Sequence, residues 1–322
     1  MGFTLRWRKA GIVCCGGLSA AMAVSQIAAY FHARALTCFE RGGERTAPPE
    51  ALTGLQKLDA LVRGVRITRP TNERTPEAVG LEFEDCRAKA RDGSVVAYWH
   101  VPRKDAEAGV VLFHGYAGSR SSLLGQAALI HAAGYAQILV DFRGSGESDG
   151  DRTTLGILES NDVEAAWTAA VERWPEKRIV LWGQSMGAAA ILRAAARPVA
   201  LRADAIVLEA PFDRLRTTVS HRVRSMGLLD FYVSDSLLYW GGFFLGVDAL
   251  SYAPIEDSRS VSLTSLMVHG ERDPRVRVEE ARALFSSLAG KKRYRSLPDE
   301  GHPPFSGESY RTILGELESL LR

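Results

Sequence analysis

The sequence predicts an α/β fold, an open and mostly parallel sheet covered by helices on both faces. Three observations carry this. From residue 109 onward, short continuous apolar runs recur, of the kind that form buried parallel strands, and helical stretches separate most of them. An alternating stretch and a hairpin signal come first, which places an antiparallel pair at the start of the sheet. After Arg178-Ile179-Val180-Leu181-Trp182, an apolar strand enters a small-residue helix through Gly183-Gln184-Ser185-Met186-Gly187. In that strand-to-helix context the turn holds its serine in a strained conformation, with glycine required on both sides.

The elements follow in order. Leu81-Glu82-Phe83-Glu84 alternates as a half-exposed strand, Asp92-Gly93 is a hairpin turn, and Val95 to Val101 is the returning strand. Buried strands are expected at Gly109–Phe113, Ala136–Val140, Ile179–Trp182, Ala205–Leu208 and Ser265–Val268. Helices are expected at Leu123–Ala133, Asp162–Glu172, Met186–Ala196 and Glu279–Leu288. A last strand near Lys292–Leu297 precedes a closing helix over Gly307–Leu321, which makes eight strands in all. The interval from Arg214 to Ser262 is far longer than an ordinary crossover. It is also apolar, with Phe231, Tyr232, Tyr239, Trp240, Phe243 and Phe244. It reads as a small helical lid, at about 214–262, inserted after strand six. Its aromatics have three possible uses: extra core, the wall of a pocket for an apolar substrate, or contact with a bilayer.

The amino terminus stands apart. Arg6, Arg8 and Lys9 precede a run from Ala10 to Phe31 with no charged side chain. At about 1.5 Å per residue such a run can cross a hydrocarbon core. Residues 1–35 are therefore expected to form an uncleaved membrane anchor, with the rest of the chain on the non-cytoplasmic side. The alternatives are a cleaved signal, giving a secreted or periplasmic protein, and a buried helix of a soluble fold. Residues 36–76 read as a polar lead-in with one amphipathic stretch, Ala51 to Val62, and no recognisable chemistry. Residues 77–322 read as the catalytic domain.

The 322 residues are 46% hydrophobic, ample for one large core. Lysine and arginine total 40 and acidic residues 38, a formal charge of +2. There is no basic stripe with interleaved aromatics, so nucleic acid is not an expected partner. Cys14, Cys15, Cys38 and Cys86 form no metal-binding spacing. Cys38 and Cys86 could pair in an oxidising compartment, but free thiols are expected. No metal or organic cofactor is implied.

A serine hydroxyl needs a base to become a nucleophile. Among seven histidines, His302 is the best placed, in a loop after the last strand and before the last helix. His269, at a strand end, reads as a local packing or hydrogen-bonding group. The base needs a carboxylate to fix its tautomer. Asp273 heads the loop after the strand ending at His269, and Glu271 competes for the same role. Charge developing on a carbonyl oxygen requires N–H donors. One is expected from Met186 at the helix start, the other from Tyr116 in the loop His114-Gly115-Tyr116-Ala117-Gly118.

Together these residues resemble the α/β-hydrolases of the serine-hydrolase branch, similar to monoglyceride-lipase-like and serine-aminopeptidase-like members. The resemblance runs from about residue 80 to the end. It rests on His114–Gly118, Asp141-Phe142-Arg143-Gly144-Ser145-Gly146-Glu147-Ser148, Gly183–Gly187, Glu209-Ala210-Pro211-Phe212, His269–Pro274 and Gly301-His302. It implies Ser185 as nucleophile, Asp273 as acid and His302 as base, in that chain order. Tyr116 and Met186 are the implied oxyanion donors. Asp141, Arg143, Gly144 and Gly146 are implied to shape a structural turn. The expected activity is cleavage of carboxylic ester or thioester bonds through an acyl-enzyme, on a small-molecule substrate with an apolar acyl group, at a membrane held by the N-terminal helix. A peptidase of the serine-aminopeptidase type, with Asp230 or Asp235 holding a free amine, is the alternative. A third reading is a membrane-tethered binding protein that has lost activity.

Overall fold

The computed structural model describes residues 22–197, 201–228 and 230–322. Its centre is an eight-stranded sheet of β1 (Glu84–Lys89), β2 (Val95–Val101), β3 (Ala108–Phe113), β4 (Ala136–Val140), β5 (Arg178–Gln184), β6 (Ala205–Glu209), β7 (Ser265–Gly270) and β8 (Lys292–Leu297). The spatial order is β1-β2-β4-β3-β5-β6-β7-β8. β2 pairs antiparallel with β1 and β4, and every other pairing is parallel. This is the sheet expected from the sequence, except that its first strand runs over Glu84–Lys89 rather than Leu81–Glu84.

The period of two along each strand divides the core. Val111 and Phe113 of β3 point to one face, Val110 and Leu112 to the other. The first face is covered by α4 (Glu159–Arg173), α5 (Met186–Ala195) and α9 (Val278–Ser287), through residues such as Val163, Ile191 and Leu284. The second is covered by α3 (Leu124–Ala132) and α10 (Gly307–Leu321), through Ala127, Ile130, Ile313 and Leu317. Parallel strands covered on both faces carry no polar side, which is why they read as unbroken apolar runs.

Between β6 and β7 the chain forms three helices, α6 (Leu215–Ser225), α7 (Asp230–Leu245) and α8 (Pro254–Ser258). α7 leaves Phe231, Tyr239 and Phe243 exposed. Its other side packs on a helix over residues 22–37, α1. Trp240 meets Tyr30 edge-on, with ring centroids 5.7 Å apart. Trp240 Nε1 donates to Gln26 Oε1 at 2.7 Å, and Gln26 Nε2 donates to the Tyr232 hydroxyl at 2.6 Å and to Ser236 Oγ at 2.9 Å.

That packing lends no support to the expected membrane anchor. Residues 1–21 of the proposed anchor lie outside the described residues. The rest of the apolar run belongs to α1, whose Gln26 amide bonds protein groups on both its oxygen and its nitrogen. Among the described residues no helix is long and apolar enough to cross a membrane.

The lead-in is also more than a connection. α2 (Gly54–Arg63) forms where amphipathicity predicted it and starts in a Thr53/Gln56 capping box. On either side of α2 the chain is stitched to the catalytic loops. Cys38 bridges Arg152, Glu40 bridges Thr68, and Arg69 donates to the carbonyls of Gly146, Ser148 and Gly150. Cys38 and Cys86 are both free thiols. Phe39 is buried in a small cluster with Ile67 and Ala117, against Tyr116.

Replacing Phe39 with Ala should therefore cost about 3 kcal/mol of unfolding free energy, the scale for emptying a buried phenyl site. Urea denaturation of wild type and variant measures it; an unchanged midpoint would show that the segment does not hold to the domain.

Candidate active site

The site is assembled where β3, β5 and β6 end. Ser185 lies between β5 and α5 with φ 50° and ψ −108°, a left-handed backbone that a non-glycine residue seldom adopts. The neighbouring glycines allow it. A Cβ on Gly183 would lie 2.5 Å from the carbonyl carbon of Gly187, and one on Gly187 would lie 2.7 Å from the Phe113 carbonyl oxygen. From β6, the Glu209 carbonyl accepts the Ser185 N–H at 2.7 Å.

The loop after β3 is shaped by His114, which is buried. The Phe142 N–H donates to His114 Nε2 at 3.1 Å, so that nitrogen carries no proton. Nδ1–H is left to donate to the Gly115 carbonyl at 2.8 Å. Burial also lowers the imidazole's pKa, which favours this neutral form. The loop then passes close to the serine: a Cβ on Gly115 would lie 3.7 Å from Ser185 Cβ. Among the described residues, the N–H groups of Tyr116 and Met186 have no backbone acceptor. The Tyr116 hydroxyl donates to the Leu36 carbonyl at 2.6 Å, so the lead-in segment braces this loop.

His302 and Asp273 meet on the far side. His302 Nδ1 and Asp273 Oδ2 are 2.7 Å apart, with the carboxylate fully buried. Asp273 Oδ1 accepts the N–H groups of Arg275 at 2.8 Å and Val276 at 3.1 Å. Burial opposes its charge, but hydrogen bonding and attraction to His302 outweigh it and hold the carboxyl below its usual range. Glu271, the competing carboxylate, instead accepts from Ser296 Oγ at 2.6 Å on the surface. His269 is buried and donates from Nε2 to the Val276 carbonyl at 3.1 Å, a local bond as expected.

Ser185 and His302 line one pocket of about 250 Å³. No hydrogen bond joins their side chains among the described residues, as is common in ligand-free sites. Leu36, Leu155, Phe212, Leu215 and Val219 give the pocket an apolar wall. Of these, Leu215 and Val219 come from α6 and Leu36 from α1; the α7 aromatics, for which a pocket wall was one of three readings, do not reach it. Asp230 and Asp235 are also absent from it, being paired with Arg224 at 2.5 Å and Arg216 at 2.6 Å. Among the described residues no group of histidine, cysteine or acidic side chains could hold a metal ion.

Asp141, Arg143, Gly144 and Gly146 form the turn the sequence suggested. Asp141 accepts from the Arg120 N–H at 2.7 Å and from Asn72 Nδ2 at 2.8 Å. A Cβ on Gly146 would fall 1.9 Å from the Asp141 carboxylate. Arg143 pairs with Asp162 at 2.6 Å and Asp92 at 2.8 Å.

Two further residues were given no role by the sequence reading. Arg120, fully buried, lies 4.1 Å over the Trp99 ring and 3.1 Å from Asp141. Glu209 sits beneath the serine, accepting from Trp182 Nε1 at 2.6 Å and Gln126 Nε2 at 3.1 Å. Its signals in the sequence were its place at the end of an apolar strand and at the head of the Glu209–Phe212 run.

Known proteins resemble this chain. A family model described as serine aminopeptidase, S33, matches residues 104–236, which include Ser185 but stop short of Asp273 and His302. The lysophosphatidylserine lipase ABHD12 of Macaca fascicularis is 25% identical over 221 residues, 66% of this chain and 54% of its own length. An uncharacterised protein, Rv2307c, of Mycobacterium tuberculosis is 27% identical over 221 residues, 68% of this chain and 72% of its own. A Pyrococcus furiosus esterase superposes with a TM-score of 0.66 at 21% identity, covering 87% of this chain and 98% of its own. The sheet order and the superposition show the α/β-hydrolase fold.

The Glu209 carboxyl is pushed from an ordinary 4.5 up to about 8, chiefly by burial, against hydrogen bonds from Trp182 and its neighbours. The folded state then holds a proton that the unfolded state releases. Through this group, stability is greatest below the unfolded pKa and falls as pH rises from about 4 to about 8. Glu209→Gln keeps the shape and removes that slope. The difference in thermal midpoint between variant and wild type should move in the variant's favour across this window; a constant difference would show that Glu209 does not titrate there.

Proposed function

We propose that the protein is a serine hydrolase that cleaves carboxylic ester or thioester bonds through an acyl-enzyme. The observation that carries this reading is the 2.7 Å His302–Asp273 pair facing the same pocket as the strained Ser185. With Nδ1 held by the carboxylate, the lone pair of His302 is on Nε2. Nε2 takes the Ser185 proton as Oγ attacks the substrate carbonyl. The Tyr116 and Met186 N–H groups receive the developing oxyanion, each worth about 3 kcal/mol in comparable sites. His302 then returns the proton to the leaving alcohol or thiol. Water, deprotonated by the same nitrogen, releases the acid.

The apolar wall supports an acyl or aromatic group on the substrate, and α6 acts as the covering element. An aminopeptidase is the weaker reading. Among the described residues no Asp or Glu lines the pocket, and both acids proposed to hold an amine are paired with arginines elsewhere. A non-cytoplasmic location is supported by the basic residues Arg6, Arg8 and Lys9 ahead of the apolar run.

Ser185→Ala should abolish fluorophosphonate labelling and reduce turnover of short p-nitrophenyl esters at least ~10⁴-fold. Asp273→Asn should lower kcat by roughly 10⁴-fold, whereas Glu271→Gln should stay near wild type. Undiminished turnover by the Ser185 variant would overturn the mechanism, and equal losses at Asp273 and Glu271 would overturn the choice of acid.

A further inference from the structure

The pocket wall holds one group the proposed chemistry leaves unused. Arg222 of α6 lines the same pocket as Ser185 and His302, and Arg275 joins it from the loop after β7. The Arg222 guanidinium lies 5.5 Å from the centroid of the Tyr116 ring, beside a proposed oxyanion donor. Arg275 pairs with Glu50 at 3.0 Å. Among the described residues, Arg222 forms no salt bridge and no side-chain hydrogen bond. Its charged neighbours are Glu50, already paired, and two more guanidinium groups, Arg275 and Arg45. Arg45 donates to the Ala117 carbonyl at 3.1 Å, on the same loop as Tyr116.

An arginine in this position is costly unless an anion accompanies it. Burial, followed by Arg275, pushes the guanidinium below an arginine's ordinary pKa, with Tyr116 and Glu50 opposing. An apolar pocket for a purely hydrocarbon ester has no use for such a group. A planar guanidinium with free N–H donors instead matches the oxygens of a carboxylate or phosphate.

We propose that Arg222, supported by Arg275, is a subsite for an anionic group, so that the substrate is an ester carrying a carboxylate or phosphate beside its apolar chain. This rests on the hydrolase reading for the word substrate. The anion site itself is tested without turnover.

The test titrates hexyl phosphate, and separately hexanoate, into full-length Ser185→Ala protein by calorimetry, with inorganic phosphate in a third arm. Hexyl phosphate should bind. Adding Arg222→Gln should weaken it by roughly 10- to 100-fold, as expected for losing hydrogen bonds to a charged group. Arg222→Lys should recover part of the loss, while Arg259→Gln, which removes an exposed charge outside the pocket, should leave binding unchanged. Equal affinity with and without Arg222, or no binding of either chain-bearing anion, would overturn the subsite. Inorganic phosphate binding as tightly as hexyl phosphate would make it a site for a free anion and overturn the substrate assignment. In parallel, wild type should prefer the p-nitrophenyl monoester of adipic acid over p-nitrophenyl hexanoate, or a monoacylglycerol phosphate over the monoacylglycerol, which shows the side of the ester that bears the charge. Failure to hydrolyse any ester, with hexyl phosphate binding intact, would overturn the hydrolase reading and leave the anion site standing.

Discussion

Everything at the site depends on holding one serine in a backbone conformation it would not choose. Ser185 pays a steric penalty of order 1–3 kcal/mol at positive φ, and its neighbours leave it no alternative. Gly187 fits under the carbonyls of Phe113 and His114, Gly183 fits against the first turn of α5, and β6 ties down the serine N–H. The result is a hydroxyl fixed relative to the ends of three strands. The same closure brings Gly115 against Ser185, so the proposed oxyanion donors and the nucleophile are positioned by a single set of contacts. Asp273 and His302 arrive from the loops after β7 and β8, on the other side of that centre.

Much of this was legible in the residues because the constraints are local. Apolar runs covered on both faces show as strands, and a turn that admits only glycine at two positions shows as a motif. The acid was less legible. Glu271 and Asp273 stand two residues apart on one loop, and chain order favoured Asp273 only through resemblance. The backbone shows the difference directly: the loop turns so that the N–H groups of Arg275 and Val276 meet one oxygen of Asp273 and His302 meets the other, while Glu271 faces Ser296.

The parts that sequence misread are those where function depends on distant contacts. The aromatic side chains of α7 left a pocket wall as one reading, yet Leu215 and Val219 of α6 line the pocket while α7 packs on α1. Gln26, inside the apolar run, is the polar centre of a helix–helix contact. Buried polar residues such as Glu209 and Arg120 follow the same pattern. Each is intelligible only when donors from several elements converge on it, and no spacing in the chain announces that convergence.

The contact between the Tyr116 hydroxyl and the Leu36 carbonyl sets a minimum size for this protein. The sheet begins at Glu84, but the wall of the pocket includes Leu36, and the brace on the β3 loop is made there. A form of the chain cut to the sheet and its helices would keep every residue proposed to act on a carbonyl and lose part of the surface that holds them in place. The unit that shapes the pocket is therefore longer than the unit that forms the sheet.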